Sequence, residues 1–355
     1  MTNTAWALAR HPRSWAAALL AMLVATAGVA APVYQVVDLG SLRGKTDSGP
    51  TALNAQGVVV GYATARKDYT HPVLFGKRKP LDLIGTTGVD ALVGYSQSIN
   101  SAGDIAGSLL MSGGRWKPFV YRQGTMEVVE APGYVDSRVY GLSDLGHLLV
   151  TGYLNSNSIS SVRQPDGTWV TLTRWNDSYE MVGKAIDRQG VVVGYARKDY
   201  EFSQAVVWRN NKPQPVPGTE GDSLSVATAV NDRGDVAGEH SAVWGNQVGS
   251  RAFVVRDSVL TNVTGRNLFS EATGLNNLGH VVGNAYTPGS SVPTAFLFQD
   301  GETMFLNDLV EPAQQGQWQI LSACAINDAG EIAATGRSTI AGIERALKLV
   351  PVTTR

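Results

Sequence analysis

Apolar residues along the chain come in short runs broken by Gly, Pro, Asn and Asp, and the runs recur in groups of four. The clearest group reads GKAID, VVVGYA, QAVVWR and PQPVP within residues 183–217. Runs this short, rich in β-branched and aromatic residues and bounded by turn formers, predict strands rather than helices. One line returns in a single register: ALNAQG at 52, SINSAG at 98, GLSDLG at 141, AIDRQG at 185, AVNDRG at 229, GLNNLG at 274 and AINDAG at 325. Its glycines are spaced by 46, 43, 44, 44, 45 and 51 residues, a period that marks a repeat architecture. Asn, Asp or Ser three places before Gly can hold a tight turn with its side chain, while Gly takes the left-handed conformation. The line is therefore read as the turn between a first and a second strand.

A second glycine follows at 61, 107, 152, 194, 238, 283 and 336, always on one face of the second strand, where it predicts close approach of another backbone. Four-stranded units of this length, with small residues on the first strand, fit an all-β fold: a seven-bladed β-propeller of antiparallel blades. The last unit supplies only three strands, and VYQVVDLG near the N-terminus resembles a missing fourth. Residues 33–39 are thus expected to pair with 344–352, completing the last blade and protecting its edges.

The first thirty residues do not fit the repeat. Arg10 and Arg13 precede an apolar run from about Trp15 to Val24 and then small residues, which reads as a secretory signal peptide cleaved after Ala27 or Ala30. The run falls short of the ~20 residues of a membrane span, so residues 31–355 are expected as a single exported propeller domain, periplasmic or extracellular, without membrane insertion. Removing the segment moves the net charge from −1 to −3, which is no footprint of a nucleic-acid binder. Cys324 is the only cysteine, so neither an intramolecular disulfide nor a Cys-based zinc site is available. No cofactor or metal site is expected: most of the Asn-Asp turns carry too few acids for calcium.

The recurrent I-N-D-x-G-x-V-x-G line, followed by RAFVV at 251, TAFLF at 294 and KPFVY at 117, resembles the HAF-repeat family over essentially the whole mature chain. The name-giving His is replaced by Arg, Thr or Lys here. The resemblance implies an extracellular repeat protein and supplies no catalytic residues.

Propellers place function on the face built by loops joining strands two and three and by loops between blades. Arg-Lys-Asp-Tyr occurs there twice, as Arg66, Lys67, Asp68 and Tyr69 and as Arg197, Lys198, Asp199 and Tyr200. Such loops suit stacking on sugar rings or fixing acidic groups; duplication of a blade, leaving a solvated loop, explains the same recurrence. Trp116, Trp175, Trp244 and Trp318 fit a ligand platform, although packing between blades is the commoner role of such tryptophans. Asp90, Asp136, Asp177, Glu180 and Asp222 lie in or beside inter-blade loops and are candidates for an acid pair. His147 and His280 share the variable slot after the turn glycine, read as solvent-exposed. Arg233-Gly234-Asp235 matches an adhesion tripeptide, but Gly234 is the repeat's own turn glycine. These features favour a non-catalytic propeller binding a protein or carbohydrate ligand. The alternatives are a secreted hydrolase or lyase acting on glycosidic or ester bonds, and a structural or adhesive surface protein.

Overall fold

Four of the five turn asparagines, Asn54, Asn231, Asn276 and Asn327, do two jobs that explain how the sheets form and how they meet, while Asn100 bonds only within its own turn. In the first unit Asn54 Oδ1 accepts the backbone N–H groups of Gln56 (3.1 Å) and Val58 (2.9 Å), closing the turn from within. The seven turn glycines all have positive φ, from 75° to 90°, the region a side chain resists. Asn54 Nδ2 is then free to donate to the carbonyl of Asn100 in the next unit (3.1 Å).

The computed structural model describes residues 31–352 other than 44–46, 66–68, 77–78, 155–156, 200–201, 245–246, 288 and 291, and side chains other than those of 244 and 247. The N-terminal thirty residues, with the expected signal peptide, lie outside them. From residue 32 onward the described residues form one compact unit. It is all-β, with six antiparallel-stranded sheets among the described residues, five of four strands and one of eight. The unit read most clearly from sequence consists of Glu180–Ile186, Val192–Arg197, Ser203–Arg209 and Lys212–Pro215, paired in that order. The eight-stranded sheet arises because this unit is joined to the preceding one by a single parallel bridge, Ile159↔Met181. The last sheet takes its outer strand from the N-terminal segment: Tyr34–Asp38 pairs antiparallel with the final strand, from Tyr34↔Pro351 to Asp38↔Leu347. Among the described residues, two short helical turns, Leu83–Thr87 and Leu306–Leu309, depart from the strand pattern.

Every first strand carries a bulge at one position, three residues before the turn polar residue. The unpaired residues are Thr51, Gln97, Tyr140, Lys184, Thr228, Thr273 and Cys324. A bulge bends the strand and re-aims one side chain. In three units that residue is Thr and bonds the next unit's first strand: Thr51 to Ser96 O (2.6 Å), Thr228 to Ala272 O (2.7 Å) and Thr273 to Ala323 O (2.8 Å). Cys324 takes the same place, and burial pushes its thiol up to about 12.

The glycine of the second strand faces the bulge. A Cβ at Gly61, Gly107, Gly194, Gly238 or Gly283 would stand 1.9–2.1 Å from a first-strand carbonyl oxygen, so only Gly fits. Gly152 and Gly336 differ: they sit two pairs further out, where a Cβ would meet the side chains of Tyr134 and Leu347.

Among the described residues, the buried apolar side chains fall into seven clusters, six of them between successive units. The seventh joins Val59, Ala63, Val73 and Phe75 of the first unit to Ala333 and Ala346 of the last. Fully buried Phe119, Phe253 and Phe296 serve these seams, each contributing about 1.5–3 kcal/mol by leaving water.

Candidate functional site

The first strands of successive units touch one another, the last also touching the first, so their bulged residues collect around a common axis. Two ends of that axis present cavities of different chemistry.

At the turn end, a cavity of about 220 Å³ is lined by the turn segments of all seven units, from Asn54 to Asp328. Its polar rim is consumed internally. Asn231 Nδ2 donates to Asn276 O (2.9 Å), Asn276 Nδ2 to Asn327 O (3.0 Å) and Asn327 Nδ2 back to Asn54 O (3.2 Å). A parallel series uses the next residue: the N–H groups of Ser101, Arg188, Asp232 and Asn277 donate to the side chains of Asp144, Asp232, Asn277 and Asp328, at 2.7–3.1 Å. These bonds between units went unseen in the sequence, where Asn was read as a local turn former; their trace was the run of Asn, Asp and Ser at the first of the two free positions.

The slot after the turn glycine, expected to be solvent-exposed, is half-buried or buried. Asp235 is only 6% exposed, accepts from Asn231 Nδ2 (2.9 Å) and faces Arg256 Nε (3.5 Å). The carboxylate of the apparent adhesion tripeptide is thus buried against its own turn. His147 Nδ1 meets Ser143 Oγ (2.9 Å), and burial holds both His147 and His280 below the usual imidazole range. The slot reads as variable because anything able to pack beside the turn side chain is accepted.

At the opposite end, a cavity of about 250 Å³ spans the second to fourth units. Trp116, at the head of Trp116–Arg122, is held by its own N–H, which donates to Asp136 Oδ1 (2.7 Å). The Arg138 guanidinium lies 4.3 Å from the centre of the indole, and Tyr95 stacks on Trp116 at 5.9 Å, itself edge-on to Tyr62. Across the cavity the bulged residue Lys184 sits over two rings, Tyr140 (5.0 Å) and Tyr195 (5.8 Å). Burial lowers the Lys184 ammonium from its ordinary range, opposed by the field of Glu239, whose own carboxyl is raised by burial and by Glu271. Tyr153 also lines the cavity and is 61% exposed.

Of the residues expected to bind ligand, Trp116 lines this cavity, with Arg138 over its ring on one side and Tyr95 stacked on it. Trp175 and Trp318 are half-buried and pack on the seams between units. Trp244 ends the strand Val236–Trp244, but its side chain lies outside the described residues. Arg66, Lys67, Asp68 and Tyr200, four of the eight residues of the two Arg-Lys-Asp-Tyr loops, also lie outside them. Tyr69 is exposed. Arg197 pairs with Glu180 (3.3 Å) beside Tyr195, and Lys198 and Asp199 are exposed. The acids do not gather. Asp90 accepts from Ser112 (2.5 Å), Asp136 serves Trp116, Glu180 serves Arg197, Asp222 pairs with His240 (3.0 Å), and Asp177 is exposed. His71 pairs with Asp82 (2.9 Å) on outer strands. Arg138, Tyr140, Tyr153, Lys184 and Tyr195 were missed; Tyr140 and Lys184 were detectable as polar or aromatic residues three places before the turn. Among the described residues, no group of three or more His, Cys, Asp or Glu is placed to hold a metal ion, and no helix is long and apolar enough to cross a membrane.

This arrangement of four-stranded units is similar to the β-propeller domain of the Trilobed protease from Pyrococcus furiosus. That domain is 10% identical, with a TM-score of 0.56 over 87% of this chain and 98% of its own, and is described as having an open velcro topology. The chain also aligns with TolB from Acinetobacter baumannii (12% identity, 83% of this chain, 64% of that one, TM-score 0.44). Virginiamycin B lyase from Staphylococcus aureus aligns as well (10% identity, 90% and 100%, TM-score 0.44). The fold is that of a β-propeller. No curated protein matches the chain in sequence. A family model does match, over residues 155–345, and the chain belongs to that family, the proteins of unknown function DUF3466.

Proposed function

We propose that this chain is an exported, non-catalytic, seven-bladed propeller that binds a glycan or protein ligand at the end of the axis opposite the turns. The observation that carries the reading is the cavity around Lys184 and Arg138, where two cations and several aromatic rings face open space. Ligand sites combine such apolar walls with a few placed polar groups. The separate local partners of Asp90, Asp136, Glu180 and Asp222 speak against a hydrolase or lyase, which needs carboxyl groups sharing one substrate.

The seven-blade count is supported by the seven seams and by the Asn327-to-Asn54 bond. Closure by the N-terminal strand is supported by burial of Tyr34 and Val36, and a chain lacking residues 31–40 that keeps its stability refutes it. Export rests on the Arg10–Val24 pattern and the repeat resemblance to HAF proteins; mass spectrometry of the mature N-terminus after cell fractionation tests it. For binding, glycan-array and pull-down profiles of the mature chain are expected to lose their hits when Trp116 and Arg138 are both replaced by Ala. Unchanged profiles place the ligand elsewhere and sink the proposed face.

A further inference from the structure

The geometry points to a ligand of defined chemistry for this cavity: one pyranose ring bearing a carboxylate, a hexuronate, either free or at the end of a glycan. The inference rests on the binding reading above and narrows it.

Charge comes first. Among the described residues, no carboxylate oxygen lies within 4.0 Å of the charged nitrogens of Lys184 or Arg138. Asp136, the one acid in the lining, is engaged by the Trp116 N–H. Glu239, on the strand Val236–Trp244 of the neighbouring unit, acts on Lys184 from beyond ion-pairing distance, and Glu271 in turn acts on Glu239. Two cations against one committed acid leave the cavity positive. Both are preorganised: Arg138 lies over the Trp116 ring, and Lys184 over Tyr140 and Tyr195. Cations held in advance on aromatic faces lose little freedom when an anion arrives.

Shape comes second. The cavity, about 250 Å³, lies below the ~300–1,000 Å³ of typical small-molecule sites, which suits a single ring. Trp116 is engaged by Arg138 and by Tyr95, so it positions the guanidinium rather than receiving a sugar. Tyr153, exposed on the rim, offers the free aromatic face against which a pyranose can stack. A bare phosphate would meet the cations and leave that ring unused; a neutral hexose would stack and leave the cations unpaired.

Ligand-observed NMR and calorimetry on the mature chain test this with glucuronate, galacturonate, their methyl glycosides, glucose and inorganic phosphate. At least one uronate is expected to bind, with glucose and phosphate each at least tenfold weaker. Equal or tighter binding of its methyl glycoside assigns the site to a glycan end; a preference for the unsubstituted acid assigns it to the free sugar. Lys184→Met and Arg138→Gln should each weaken uronate binding at least tenfold, and Tyr153→Ala severalfold. Arg138→Lys should restore part of the loss, since charge returns without the planar fork. Thermal melts of each variant separate lost folding from lost binding. Glucose binding as well as uronate, no uronate binding at all, or binding indifferent to Lys184→Met overturns the inference. If array ligands are still lost in the Trp116/Arg138 double variant, the binding face stands while the acidic-sugar assignment falls.

Discussion

The two ends of the axis are made by the same seven strands and differ in what their polar groups are doing. At the turn end, Asn54, Asn231, Asn276 and Asn327 spend both side-chain atoms on backbone, one inward and one across to the next unit. At the other end, Lys184 and Arg138 rest on aromatic rings with no acid in pairing range among the described residues. Polar chemistry that is fully engaged holds a structure together; polar chemistry held in place but left open can meet something else.

The sharpest way to break that contrast is Asn276→Ala. It leaves the N–H groups of Leu278 and His280 without their partner and removes one of the two bonds to the Asn327 carbonyl, which keeps only the Gly330 N–H, at about 1–3 kcal/mol for each unmade bond to a buried group. A fall of about 3 kcal/mol or more in urea unfolding, with an unchanged slope, is expected; a loss under ~1 kcal/mol would mean that the bonds between units are ornamental.

Asp187 occupies an asparagine place in the belt and, ionised, can accept but not donate. It is buried, takes the Val191 N–H (2.8 Å), and burial raises its carboxyl, with Asp232 adding to the effect. A raised folded pKa means stability present at low pH and lost as pH rises through that value. Asp187→Asn should therefore stabilise by about 1 kcal/mol at neutral pH, with the gain fading in acid. A gain independent of pH would contradict the assignment.

At the open end the expected sign is reversed for binding and small for folding. Lys184→Met should leave the melting temperature unchanged or slightly higher, because burial disfavours the ammonium it removes. Any gain should shrink at alkaline pH, where the native lysine sheds its proton. A large loss of stability would show that Lys184 belongs to the scaffold after all. Smallest of all, Arg233→Ala at an exposed turn should change stability by less than ~0.5 kcal/mol. Cell attachment to the purified chain should be neither present before the change nor absent because of it.

Much of this was readable because strand turns are local. ALNAQG and its six relatives announce their Asn and Gly roles within a few residues, and the four short runs of residues 183–217 became the four strands of one unit. The bulge escaped notice because it depends on backbone register, and residues as unlike as Thr51, Lys184 and Cys324 occupy it. The belt escaped because its bonds cross about 45 residues in sequence, or 273 in the case of Asn327 to Asn54. The cavity escaped for a related reason: Arg138, Lys184 and Tyr195 form no motif and meet only where separate units converge.

The strand that completes the last sheet also sets how the molecule would answer a mechanical load. Val33 and Val352 emerge side by side, joined by the Val352 N–H to Val33 carbonyl bond (2.7 Å), at one end of the Tyr34–Asp38 pairing. Pulling the two ends apart therefore opens that ladder one rung at a time, like a zipper, instead of loading all its rungs together in shear. Tethered by both termini, the chain should yield first at this seam and at low force, while the six other units remain folded.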